Sequence, residues 1–262
     1  MFKNFMKIAF RNLVKNRLYA IINIVGLTVA LACCSVAYLN YQFAATFDAF
    51  HENGDKIYRV NSIKMVNNRA QQWGITPMPL GPALQKDFAD IERAVRISEE
   101  RIVLRFEEKV FNEHIYLVDG GFLDMFTYPL KFGSPQALQH KNQLVVSEAL
   151  AAKYFGDENP VGKQVSVRSP NGQTHVFEIG AVAEKEPLNS SIQFNILANY
   201  ENLPNFTDLD DMNSWRYWGE VTFVQLRDPA AATTIENQLD SYIKTQNEAR
   251  PDWPIARFYF DP

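Results

Sequence analysis

The sequence predicts an α+β protein: an N-terminal membrane-crossing helix followed by a mixed-sheet domain of one or two subdomains. Three observations predict it. No charged side chain occurs from Leu18 to Phe47. All 30 acidic residues fall beyond that stretch. There, short apolar runs with strand-like alternation are punctuated by helix caps and hairpin signals.

The apolar run comes first. Residues 18–39 contain only Asn23, Thr28 and Ser35 as clearly polar side chains. At about 1.5 Å per residue they make roughly 33 Å of helix, enough to cross a hydrocarbon core of about 30 Å. A cleavable signal has a shorter apolar region, of about 7–15 residues. Ala30-Leu31-Ala32 has the small-x-small form of a cleavage site. Lipidation at Cys33 would want a large aliphatic residue where Ala30 stands, and at Cys34 a small one where Cys33 stands. Length therefore favours a retained span, assigned to 18–43.

The leader sets the orientation. Residues 1–17 carry Lys3, Lys7, Arg11, Lys15 and Arg17 and no acid. Positive flanks stay in the cytoplasm, which sends everything from about residue 44 across the membrane. Four of these cations recur every four residues, with Phe2, Phe5, Met6, Phe10, Leu13 and Val14 on the remaining surface. That pattern suits an amphipathic helix at the inner interface, and also a plain basic segment that only fixes topology.

The body, 44–262, is acidic. Five of the chain's 26 basic residues belong to the leader, so the body holds nine more acids than bases. Such a balance speaks against nucleic acid as a partner. Both cysteines lie in the span, so the body depends on no disulfide.

Strands are expected at 57–65, 91–97, 102–106, 110–118, 144–146, 163–167, 174–182, 192–197 and 220–226. A short helix is expected at 79–88, with Leu80, Leu84 and Phe88 on one face, and one helical turn at 122–126. Ser147 reads as the N-cap of a helix over 148–155 that Gly156 stops. Pro170-Asn171-Gly172 marks a hairpin, and so does Glu107-Glu108-Lys109. Asp228-Pro229 opens a helix expected to run to about Thr245, with Ile235, Leu239, Tyr242 and Ile243 on its buried face.

No catalytic, cofactor-binding or metal-binding residue is assigned. GDENPVGKQ (156–164) is the nearest approach to a phosphate loop. It has five residues between its glycines instead of four, Gln164 in place of a hydroxyl, and a helix before it and a strand after. His51, His114, His140 and His175 have no second ligand at metal spacing. Asp208, Asp210 and Asp211 imitate a calcium loop loosely, but Met212 stands where an oxygen ligand belongs. There is no GxSxG elbow and no cysteine nucleophile outside the span. A catalytic carboxylate pair leaves no sequence signature, so an anchored enzyme of that kind stays open. Trp215, Tyr217 and Trp218 either stack a ligand or close one end of a core, and the second is the commoner use.

Five stretches carry a family resemblance: KIAFRNLVKNRLYAIINIVGL (7–27), FDAFHENGDKIYRV (47–60), TPMPLGPALQKDF (76–88), VVSEALAAKYFGDENPVGKQV (145–165) and PLNSSIQF (187–194). Taken in order, they resemble the N-terminal part of MacB/FtsX-type ABC transporter permeases: a first span and a MacB-like periplasmic core domain. Ala181 stands where the family usually has glycine. The family continues with further spans, so the resemblance implies a chain truncated before them at Pro262.

The resemblance implies an inner-membrane protein with a cytoplasmic N-terminus and a non-catalytic periplasmic domain. It would relay the motion of a separate cytoplasmic ATPase subunit to export or extract a substrate, with no cofactor of its own. The implied partners are that ATPase, a second permease copy or half, and the lipid bilayer. A periplasmic adaptor or outer-membrane channel is a further candidate. The alternative reading is a membrane-anchored periplasmic sensor or ligand-binding module.

Overall fold

The computed structural model describes residues 2–209 and 211–262. They form two compact units, one ending at Ala49 and the other comprising Phe50–Pro262.

The first unit holds α1 (Phe2–Lys15) and α2 (Arg17–Ala45). Neither helix buries a single residue. In α2 two polar side chains bond within their own helix. Thr28 Oγ1 donates to the Ile24 carbonyl at 2.8 Å, and Gln42 Nε2 to the Tyr38 hydroxyl at 2.8 Å. Such local bonds let polar groups sit on a helix without seeking water.

The second unit carries twelve strands: β1 (Ile57–Val66), β2 (Arg69–Trp73), β3 (Thr76–Pro77), β4 (Ile91–Phe106), β5 (Lys109–Val118), β6 (Leu130–Gly133), β7 (Gln143–Ser147), β8 (Gln164–Arg168), β9 (Thr174–Ala183), β10 (Ile196–Asn199), β11 (Trp218–Leu226) and β12 (Arg257–Asp261). Its helices are α3 (Leu80–Asp87), α4 (Phe122–Met125), α5 (Glu148–Phe155), α6 (Ala232–Glu236) and α7 (Asp240–Ala249). The sheet runs β12-β1-β11-β4-β5-β10-β7-β9-β6. β10 pairs in parallel with β5, and β7 with β9, while the other pairings are antiparallel.

β8 changes the meaning of that order. It pairs with both β9 and β4. The six strands β4, β5, β10, β7, β9 and β8 therefore close on themselves as a small barrel. Its core takes alternate residues from each strand, as the two-residue period of a strand requires; examples are Ile102 and Leu104 on β4, Ile115 and Leu117 on β5, and Val165 and Val167 on β8. Leu150, Tyr154 and Phe155 of α5 join this core, and the Tyr154 hydroxyl donates to the Leu104 carbonyl at 3.3 Å.

Outside the barrel, β12, β1, β11 and residues 91–97 of β4 form an open antiparallel sheet. Its core gathers Val60, Leu84, Val224, Leu226, Ile235, Leu239 and Phe258. A third cluster, with Phe122, Met125, Phe126, Tyr128 and Phe194, packs on Val95, Val118, Val145 and Leu197. Each such side chain, fully buried, contributes about 1.5–3 kcal/mol.

Most expected elements occur within a residue or two. Ser147 Oγ accepts the Leu150 amide at 3.2 Å, and Gly156 ends the helix at φ +68°. In the turn between β8 and β9, Gly172 has φ +87° and Asn171 Oδ1 accepts the Gln173 amide at 3.1 Å.

Three expectations are corrected. The strands expected at 91–97 and 102–106 are one strand, β4, because β5 pairs with it without interruption from Ile97 to Phe106. The strand expected over 192–197 begins only at Ile196. The Ile192 carbonyl accepts the Tyr128 and Ser190 hydroxyls, at 2.7 and 2.9 Å, in place of a ladder bond. The helix expected from 229 to 245 is broken. A 3-10 turn opens it, with Asp228 Oδ1 accepting the Ala230 amide at 2.9 Å, and α6 and α7 follow separately. Leu239, fully buried, sits at the break, while Tyr242 and Ile243 are half-buried against the same core.

Candidate functional site

In the stretch 156–164, expected to fail as a phosphate loop, several backbone donors are spent within the fold: the Gly162 amide on the Ile179 carbonyl at 2.8 Å and the Lys163 amide on the Pro160 carbonyl at 2.9 Å. The Val161 amide meets Asn159 Oδ1 at 3.1 Å, and the Lys163 ammonium pairs with Glu158. The segment is a helix stop followed by a turn into β8.

The four histidines lie apart. His51 is buried beside Phe50, Phe126 and Tyr128, and its Nδ1 accepts the Thr127 amide at 3.1 Å. His114 meets Glu99 at 2.5 Å on the surface. His175 lies 6.0 Å from the Phe206 ring, and His140 is exposed. Among the described residues no three His, Cys, Asp or Glu side chains converge closely enough to hold a metal ion. Asp210 lies outside the described residues, and Asp211 Oδ1 accepts the Asn213 amide at 2.8 Å.

The aromatic trio splits. Trp215 packs 6.1 Å from Tyr242, and Trp218 donates from Nε1 to Gln246 Oε1 at 2.9 Å, both against the open-sheet core. Tyr217 packs against the barrel core. All three are half-buried, and Tyr217 and Trp218 also border a cleft.

A buried polar cluster occupies the place where β4 passes from sheet to barrel. Arg96 donates to Asp119 twice, Nε to Oδ2 at 2.9 Å and Nη2 to Oδ1 at 2.7 Å, and its Nη1 reaches the Met78 carbonyl at 3.2 Å. Its guanidinium lies 3.8 Å over the Tyr200 ring. Burial works against that charge, but Asp119 outweighs it and holds the pKa above the ordinary arginine value. Glu220 lies nearby on β11, 2% exposed. Burial raises its carboxyl to about 7, against the opposing influence of Tyr200, Arg96 and Ser98. Burial and the neighbouring Glu220 also raise the Tyr200 hydroxyl.

No motif announced this cluster. A weaker signal exists: Glu220 shares a strand face with Thr222, Val224 and Leu226, so two-residue alternation puts a carboxyl on the buried side. The helices of the first unit carry two further features. α1 lines Lys3, Lys7 and Arg11 along a shallow groove with Met6, Phe10 and Val14. α2 is long and apolar enough to cross a membrane.

One N-terminal helix long and apolar enough to cross a membrane is followed by a mixed-sheet α+β body. The chain belongs to the family of MacB-like periplasmic core domains, which matches residues 20–242. It is thus homologous to the periplasmic domains of ABC transporter permeases.

Solved structures with the same fold include a domain of a protein described as a permease from Porphyromonas gingivalis. It is 23% identical, with 81% of this chain and 91% of that one covered at a TM-score of 0.64. The periplasmic region of MacB from Actinobacillus actinomycetemcomitans is 16% identical over 79% of this chain and 88% of that one, at 0.54. The extracellular domain of the noncanonic ABC-type transporter YknZ from Gram-positive bacteria is 14% identical over 79% of this chain and all of that one, at 0.52. No curated protein matches the chain.

Proposed function

We propose that this chain is the N-terminal part of an ABC transporter permease whose periplasmic domain relays motion generated by a separate cytoplasmic ATPase. Residues 1–17 serve as a basic leader on the cytoplasmic face, 18–43 as the span and 44–262 as the periplasmic core domain. The basic leader supports this orientation, since all five of its charges are positive. ATP hydrolysis resides on the partner subunit, and a second permease copy or half completes the assembly.

The observation that carries the reading is the pairing of α2, an apolar helix with no buried residue, with a body belonging to a permease family. Relaying motion requires an element with two arrangements that both sites bias. The rigid block 145–165, containing α5, is the candidate for part of the moving body.

The test places a cysteine at the exposed Ala152 of α5 and measures its distance to the second copy by spin labelling. The intact permease is used, with and without ATP. A distance that changes with nucleotide is expected. Unchanged distances while transport continues would overturn the mechanical role.

A further inference from the structure

A cleft of about 460 Å³ opens beside the buried cluster, between the β4–β5 face and the segments 203–209 and 217–221. That volume falls within the range of small-ligand sites, about 300–1,000 Å³. Among the described residues no lysine, arginine or histidine lines it.

Its walls combine two chemistries. Among the described residues four carboxyl groups line it: Glu220, the half-buried Glu100, and the exposed Glu99 and Asp208. Tyr116, Tyr217 and Trp218 line it as well.

Glu220 is the independent sign of a missing partner. It is 2% exposed, lines the cleft, and its Oε2 has no hydrogen-bond partner. Tyr200 and Ser98 act on the carboxyl as hydrogen-bonding neighbours, yet Oε2 itself and the Tyr200 hydroxyl both lack a partner at hydrogen-bond distance. The nearby cation, Arg96, is already matched by the bidentate Asp119 and the Met78 carbonyl. Glu99 Oε1 lies 2.5 Å from His114 Nδ1 at the surface. The buried cluster thus holds one carboxyl more than its cations can answer. A buried acid left in that state costs free energy unless it takes a proton or a cation arrives.

The arriving cation is not a bare metal ion, because these carboxylates do not converge as a ligand set. Aromatic faces beside spread carboxylates suit a cation with an apolar body, which gains ring contact as well as charge pairing. We propose that this cleft is a binding site for an organic cation, an ammonium or guanidinium group on an apolar body, with the charge received by Glu220 and the body lying against the rings. The cation arrives either as a free amine or as a lysine or arginine side chain of a polypeptide. This binding goes beyond the transport reading and requires no ATPase.

Calorimetry on the full chain in a non-ionic detergent at about pH 8, where the probe amines are protonated and most of Glu220 is ionised, tests it. The probes are phenethylamine, its neutral counterpart phenethyl alcohol, and the blocked dipeptide acetyl-Phe-Lys-amide. Either cation should bind at least tenfold more tightly than the alcohol, and Glu220→Gln should remove at least tenfold of that affinity. Tighter binding of phenethylamine assigns the site to free amines, and tighter binding of the dipeptide to a polypeptide side chain. Equal binding of alcohol and amines, no binding by any probe, or affinity unchanged in a folded Glu220→Gln would overturn the proposal. Should that variant fail to fold, the comparison of charged and neutral probes on the unaltered chain still decides.

Discussion

Along β4, residues 91–97 pair with β11 in an open antiparallel sheet, whereas residues 97–106 are held by β5 and, at 103–105, by β8 as well. One strand thus serves two regions that treat their borders differently. The barrel joins its last strand to its first and leaves no unpaired row within the ring. The open sheet stops at β12, a five-residue strand, and carries the short, polar β2 as a second partner of β1. The barrel core therefore follows from closure, while the sheet core is covered by α3, α6 and Leu239. The comparison shows that one continuous sheet can hold a part with free borders and a part without them, joined through a single strand.

The largest expected effect tests whether that strand couples the two. Arg96→Ala would leave the partly buried Asp119 without its cation at the point of passage, a loss of about 3 kcal/mol. All four tryptophans, Trp73, Trp215, Trp218 and Trp253, lie outside the barrel strands. Tryptophan fluorescence consequently reports the open sheet, and far-UV circular dichroism reports the whole body. In denaturant, both signals should shift together in the variant. Separate midpoints would show that barrel and sheet unfold independently and that β4 does not couple them.

An intermediate effect sharpens the comparison through pH. Glu220 has a folded pKa of about 7 against an ordinary value of 4.5. The folded state prefers the protonated acid. The stability this contributes is complete below the ordinary value and is lost as pH rises through the folded one. Glu220→Gln abolishes that dependence. Its stability relative to the unaltered chain should therefore rise by about 3 kcal/mol between about pH 4 and pH 8. Unfolding midpoints that track each other across this range would place the carboxyl in water instead.

The smallest effect belongs to the barrel alone. Ser147→Ala removes the cap of α5 and should cost about 1 kcal/mol. It should raise amide exchange in 148–155 while leaving β1 and β12 unchanged.

The two regions also differed in how plainly the sequence announced them. The barrel segment 143–183 was legible because each of its borders is chemical: Ser147 as cap, Gly156 as stop, Asn171-Gly172 as turn. β2 of the open sheet was not, since RAQQW lies exposed except for a half-buried Trp73 and shows no apolar alternation. Its turn was the better clue: Asn67 and Asn68 both adopt positive φ, 49° and 60°, the conformation asparagine tolerates in two-residue hairpins. β12 is short and pairs with β1 from nearly two hundred residues away, beyond any local pattern. Barrel closure through β8 and the meeting of Arg96, Asp119, Tyr200 and Glu220 are likewise products of long-range pairing, and only the alternation in β11 hinted at the last.

The unbroken length of β4 has a mechanical consequence. Sixteen extended residues make a rod of roughly 50 Å. Ten successive residue pairs clamp its distal part to β5. A pull along this rod loads those pairs in shear, so that many bonds must give way at once, whereas a pull across it would unzip them one by one. The body is therefore stiff along one axis and compliant across it. A tug directed along β4 would displace the barrel as a whole before it tore the ladder.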